Sequence, residues 1–159
     1  MKTANCNLSM SEAFWRKLVS ALALRGSGRR ESGAFLLGGV ESKRIDHFIC
    51  YDDLDPSALN TGIIVFNGAG YVQLWRYCEE HKMKVLADIH THSDEWTGQS
   101  WSDRTNPMID QSGHIALIAP YYAQFKHASL TGVGIYEYQG KHKWKTWKPK
   151  SKKVQITKA

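Results

Sequence analysis

The sequence is poor in cysteine. Cys6, Cys50 and Cys78 are odd in number and widely spaced, which excludes a disulfide framework and a Cys-x-x-Cys zinc knuckle and fits a reducing compartment. It also lacks long apolar runs. No stretch approaches the roughly 18 residues that a membrane span needs, and the polar opening MKTANCNLSMSE has no signal-peptide core. A soluble, cytoplasmic chain without a membrane partner is expected. Acidic residues are missing from one end: Lys141, Lys143, Lys145, Lys148, Lys150, Lys152 and Lys153 follow one another with no acid between them. The net charge of +6 therefore reports one basic terminus rather than a basic folded face, and a nucleic-acid partner is not expected from it.

What is present is ordinary for a globular chain. Hydrophobic residues make up 42% and charged residues 23%, which argues against disorder or collagen. A chain of 159 residues is long enough to bury roughly 68–70% of its unfolded surface in one core. Ser9 and Glu12 have capping-box spacing, and Phe14, Leu18, Ala21 and Leu22 recur at helical intervals, predicting a helix over about 10–25. Strands are predicted over 32–39, 44–51, 62–66, 85–90 and 114–119. A terminal hairpin over 130–138 and 141–147 is expected to turn at Gln139-Gly140. Val72, Trp75 and Cys78 share a side of a second predicted helix over 70–84. Strand runs that do not alternate strictly with helices imply an α+β domain with a mixed sheet covered by helices on both sides. One domain over 1–148 and a mobile basic tail over 149–159 complete the expectation.

The stretch from Ala87 to Asp103 carries the chemistry. His90 and His92 at a strand end project to one face, because side chains alternate with period two, so both imidazoles can reach one cation. Asp103 returns after a long irregular loop to supply a carboxylate oxygen, which leaves a fourth tetrahedral position for water. His-x-His alone is a weak signal. With Ser100 and Asp103 at fixed spacing, the pattern arises by chance in roughly one chain in a thousand. Ser102 reads as the cap of a short helix. Asp94 and Glu95 read as solvated loop charges, His114 as a histidine satisfied in the core, and Cys78 as packing. Trp96 and Trp101 are expected beside the substrate channel. Glu31 on its own reads as a surface acid paired with Arg29 or Arg30.

These residues resemble the JAMM metalloproteases, also called JAB or catalytic MPN domains: a glutamate opening a strand, then His-x-His, seven residues, Ser, two residues and Asp. Glu31 stands before Ser-Gly-Ala-Phe-Leu-Leu-Gly-Gly at the glutamate position, and the resemblance covers about residues 10–147. It implies an MPN/JAB domain of cytidine-deaminase-like fold. It also implies a zinc-dependent isopeptidase in which His90, His92 and Asp103 bind Zn2+, Glu31 handles the water proton and Ser100 stabilises the oxyanion. The compact chain is most similar to stand-alone bacterial JAB proteins of antiphage (CBASS) operons. There the partner is a ubiquitin-like tail or an E1–E2-like ligase conjugated to a target such as a cGAMP-synthase-like nucleotidyltransferase. Processing of a ubiquitin-like or sulfur-carrier precursor is the alternative within the family. Outside it stand a RadC-like DNA-associated protein, with Trp144 and Trp147 as stacking platforms, and a PHP-type phosphoesterase, which needs further histidine and aspartate ligands. A nucleobase deaminase is excluded by the absence of His-x-Glu and Cys-x-x-Cys ligands.

Overall fold

The computed structural model describes residues 7–159; Cys6 lies outside them. Strand β1 (Leu8–Ser11) leads directly into helix α1 (Glu12–Gly26), and Ser11 caps it by accepting the Phe14 amide at 3.0 Å. Ser9, the expected cap, is instead inside β1, where it is extended opposite Gln155. Trp15, Leu18, Val19 and Leu22 form the buried stripe of α1 at i, i+3, i+4 and i+7. Strand β2 (Gly33–Gly39) pairs antiparallel with β3 (His47–Cys50), and the short helix α2 (Tyr51–Leu54) follows.

The stretch 62–66 is not a strand. It is an extended wall segment with no ladder partner, held by Val65 N–H to Ala58 O and by Glu31 N–H to Gly62 O. Its apolar run reads as a strand, but Asp55 organises it as a loop by accepting the Ser57 amide and hydroxyl and both the backbone and side-chain amides of Asn67.

Helix α3 (Gly68–His81) buries Gly70, Leu74 and Cys78, spaced by four, whereas Val72 and Trp75 are exposed. The buried stripe is thus rotated from the predicted one, and only Cys78 is common to both. Strand β4 (Met83–Thr91) pairs antiparallel with β2 and parallel with β5 (Ile115–Ala119). Between them lies helix α4 (Trp101–Thr105). Strands β6 (Gly134–Gly140) and β7 (Lys143–Trp147) close the sheet in the order β3-β2-β4-β5-β6-β7. The hairpin turns at Lys141-His142, not at Gln139-Gly140, and both turn residues have positive φ, as a two-residue type I′ turn demands.

Period-two alternation splits the core. Ala34, Leu36, Ala87, Ile89, Ile115 and Leu117 face α1, whereas Phe35 and Leu37 face α2 and α3. Residues 149–159 do not form a mobile tail. A 3-10 turn (Pro149–Ser151) leads to β8 (Val154–Thr157), which pairs parallel with β1, and Val154 is wholly buried in the α1-side core. The lysine run is partly engaged. The Lys145 and Lys153 ammoniums lie 4.0 and 5.0 Å from the Trp147 ring centroid, and Lys153 also approaches Glu137 at 3.5 Å. Trp144 packs against Tyr138 and donates to the Arg104 carbonyl, so neither indole stands free as a base-stacking platform. No helix among the described residues is long and apolar enough to cross a membrane.

Candidate metal centre

The site forms where β4 outruns its neighbours. Thr91 N–H donates to Ser32 O, Ser32 N–H donates to Thr91 Oγ1, and the Ser32 hydroxyl donates to Leu22 O. These bonds fix Glu31, the residue before Ser32, beside the end of β4. Gly33 stands opposite His90, and a side chain there would collide with the Tyr51 ring and the Ile89 carbonyl. Beyond β4 the His92 amide donates to Ala119 O, and the Tyr122 amide donates back to His92 O at 2.8 Å. Tyr122 belongs to three consecutive left-handed residues, Tyr121, Tyr122 and Ala123. At about 1–2 kcal/mol per residue this is a costly way to hold a strand end.

His90, His92 and Asp103 converge. The two Nε2 atoms are 3.2 Å apart, and each lies 3.2 Å from an Asp103 oxygen. Tetrahedral zinc at roughly 2.0–2.1 Å from its ligands sets them about 3.3 Å apart, close to the spacing of the two nitrogens and of each nitrogen from its own Asp103 oxygen, Oδ1 for His90 and Oδ2 for His92. His92 Nδ1 lies 3.0 Å from the Trp96 carbonyl. A carbonyl only accepts, so Nδ1 carries the proton and Nε2 presents its lone pair to the centre. The residues fit a zinc ion with one open position.

The electrostatics agree. Burial opposes charge on His90, but Asp103, Glu31 and Asp88 outweigh it and raise its pKa. Burial favours neutral Asp103, yet hydrogen bonds from His90 and His92, their charge and the Ser100 amide hold it well below the usual carboxylate range. The pocket therefore attracts positive charge. Burial raises the pKa of Glu31, against the opposing pull of His90 and His92, which suits a group that must accept a proton near neutral pH.

A pH prediction follows from these directions. In the metal-free protein the raised His90 pKa contributes stability fully below about pH 6.5 and loses it as pH rises through the folded value. Depressed Asp103 contributes above about pH 4. Bound metal reverses the trend, because ligand imidazoles must be neutral. Thermal midpoints of wild type minus His90→Gln are expected to fall from pH 6 to 8 with a chelator and to rise with zinc; parallel slopes would contradict the assignment.

Ser100, not Ser102, caps α4. Its hydroxyl accepts the Asp103 amide at 3.0 Å while Asp103 Oδ2 accepts the Ser100 amide at 2.9 Å, a closed capping box. The Ser-x-x-Asp spacing thus orients the ligand carboxylate, and the Ser100 hydroxyl proton stays available to the cleft. Among the described residues Glu31 makes no ion pair with Arg29 or Arg30; Arg30 donates to Arg25 O instead. Asp94 and Glu95 are exposed, and Asp94 accepts the Trp96 amide. Cys50 and Cys78 are free and buried, and burial pushes the Cys50 thiol up to about 12, so neither is a nucleophile.

A cleft of about 550 Å³ opens beside the triad. It occupies the half of the sheet face that α3 leaves uncovered, over Asp88 and His90 of β4 and Ala116 and Ile118 of β5. The 62–66 segment walls one side and Asn106–Met108 the other. The Tyr71 hydroxyl ties the walls together by donating to Met108 O. Trp96 and Trp101 do not line it, contrary to expectation. Trp96 stacks on His92 at 5.3 Å, Trp101 faces solvent, and Trp144 is the indole at the cleft.

His114 is a core histidine as expected, and its partner, missed in the sequence, is Asp88 at 2.6 Å. Asp88 was legible: it precedes His90 and His92 by two and four residues and shares their face. His90, His92 and Asp103 are the only group among the described residues that could hold a metal, so the further ligands a PHP-type phosphoesterase needs are not assembled there.

No family model matches the sequence. By structure the chain is similar to protein DSY2949 from Desulfitobacterium hafniense, with a TM-score of 0.64 and 12% identity over 96% of this chain and 94% of that one. It is also similar to AF2198, a JAB1/MPN domain protein from Archaeoglobus fulgidus, with a TM-score of 0.50 and 16% identity over 95% of this chain and 98% of that one. The fold is that of an MPN/JAB domain, a mixed sheet flanked by two main helices.

Proposed function

We propose that the chain is a zinc-dependent hydrolase that cleaves the peptide or isopeptide bond after the last residue of a ubiquitin-like tail. The observation that carries this reading is the zinc-sized triangle of His90, His92 and Asp103 at the end of a cleft that also contains Glu31. Zinc bound there supplies a water of pKa near 7 and polarises the scissile carbonyl. Glu31 takes the proton of the attacking water and passes it to the leaving amine. The Ser100 hydroxyl, its lone pair held by the Asp103 amide, donates toward the carbonyl oxygen as charge develops. Such a donor is typically worth about 2.7–4 kcal/mol of barrier. The biological reading is release of the tail, or of an E1–E2-like ligase, from a target such as a nucleotidyltransferase in bacterial antiviral signalling, in the cytoplasm.

A ubiquitin-like domain joined through its flexible tail to a reporter lysine tests this directly. Cutting at the tail's last residue is expected, and a β-branched residue there should block it. Cutting only of linear precursors would favour the processing alternative. Indiscriminate digestion of unfolded peptides, or phosphoester hydrolysis that depends on His90, would overturn the proposal.

A further inference from the structure

Among the described residues no lysine or arginine lines the cleft, whose charged side chains include Glu31, Asp88 and Asp103. Asp88 does not belong to the ligand triangle. Its carboxylate sits on the cleft floor, one strand repeat before His90 or roughly 7 Å along β4, with His114 Nε2 at 2.6 Å on Oδ2. Next to it is a second, unrelated oddity. Tyr51 is wholly buried and lines the same cleft, and its hydroxyl meets no partner in hydrogen-bonding geometry. The strongest charge acting on it is that of Asp88, whose carboxylate is within reach of the hydroxyl without a well-formed hydrogen bond between them. A buried hydroxyl without a well-formed hydrogen bond costs about 1–3 kcal/mol, a cost removed once a ligand brings the hydroxyl and the Asp88 carboxylate into line. Between this polar end and the mouth, the walls are apolar: Ile64, Val65, Phe66, Met108, Ala116 and Ile118.

We propose that Asp88 and Tyr51 form the floor of a specificity subsite for a long aliphatic side chain that ends in a cation, lysine or arginine, on a substrate residue flanking the cleaved bond. The apolar walls take the methylene stem, as such stems pack along apolar surface while their charged end stays polar. The Asp88 carboxylate takes the charge, and the Tyr51 hydroxyl gains an orientation by donating to Asp88 once the ammonium orders it. His114 acts as a positioning residue, because its 2.6 Å contact occupies Oδ2 and leaves Oδ1 as the Asp88 oxygen for the cation. Alanine or glycine at that substrate position would leave the hydroxyl orphaned.

The inference rests on the cleft reading above, so its test is made without turnover. N-acetyl-lysine methylamide and N-acetyl-norleucine methylamide share the stem length and differ in the ammonium. Each is titrated into the zinc-loaded full chain by amide NMR. The lysine probe is expected to shift the Tyr51, Asp88 and Ala116 signals and to bind at least tenfold more tightly than norleucine. Asp88→Asn should abolish the difference while one zinc per chain remains. Tyr51→Phe, which removes only the orphaned hydroxyl and keeps the packing ring, should narrow it severalfold. Equal affinity of the two probes, or a lysine preference that survives both substitutions, overturns the subsite. A chain that hydrolyses no conjugate but passes this titration would sink the protease reading and keep the subsite; the reverse result would do the opposite.

Discussion

If the proposed mechanism holds, Glu31→Ala is expected to retain one zinc per chain and to lose about 10²–10⁴-fold in turnover, the usual range for removal of a positioned general base. The fold is expected to hold, because Ser32 and Thr91, not the Glu31 side chain, fasten β2 to β4. Elemental analysis and single-turnover cleavage of the reporter conjugate measure the two quantities separately. If the variant purified without zinc, Glu31 would be a ligand and the mechanism would lose its base. If turnover were unchanged, the proton would travel by another route.

His92→Ala is expected to prevent metal binding. Its Nε2 is a corner of the triangle and its Nδ1 anchors the loop through Trp96 O, so both zinc and the order of residues 93–100 go with it. A ligand present at a thousandfold excess over its dissociation constant stabilises by about 4.1 kcal/mol. For a chain of this size that is a thermal midpoint shift on the order of 8–16 °C. Chelation should lower the wild-type midpoint by such an amount and leave His92→Ala unmoved. A wild-type midpoint indifferent to chelator, in protein shown to contain zinc, would make the ion an incidental guest.

The residues of the candidate centre were the legible part of the chain, and for local reasons. His90 and His92 depend only on strand alternation, and Ser100 and Asp103 were selected by their spacing, although the capping box that explains it was missed because the cap was read at Ser102. Each rule operates within a turn or a strand, so spacing alone expresses it. Glu31 was placed by resemblance, since nothing within its own neighbourhood says that Thr91 lies beside Ser32.

The misreadings have separate causes. Segment 62–66 looks like a strand by composition, but it is tethered by Asp55 to Asn67, and its extended backbone finds no edge to join. The buried side of α3 was misassigned because apolar Val72 and Trp75 point outward, while Gly70 provides the close approach that Phe66 requires. Strands β1 and β8 have four residues each, too few to show a period, and among the described residues each is the other's only ladder partner, β1 otherwise making a single bridge to Arg44.

That last pairing has a consequence for the order in which the molecule is made. Leu8 and Val154 are partners 146 residues apart. A growing chain therefore leaves the ribosome with β1 exposed, and the strand that covers it is synthesised 146 residues later. Until then α1 can lie on the sheet but its entry cannot be locked. Contacts of such separation form late, after the loop-closure entropy has been met by the rest of the fold. Interrupted synthesis before residue 154 would leave a nearly complete sheet with Leu8 and Met10 uncovered. Such a product is soft at the end where α1 begins, so proteolysis is expected to clip it there first. The candidate metal ligands all lie between residues 90 and 103, so the candidate centre can assemble before β8 exists and does not have to wait for β1 and β8 to pair.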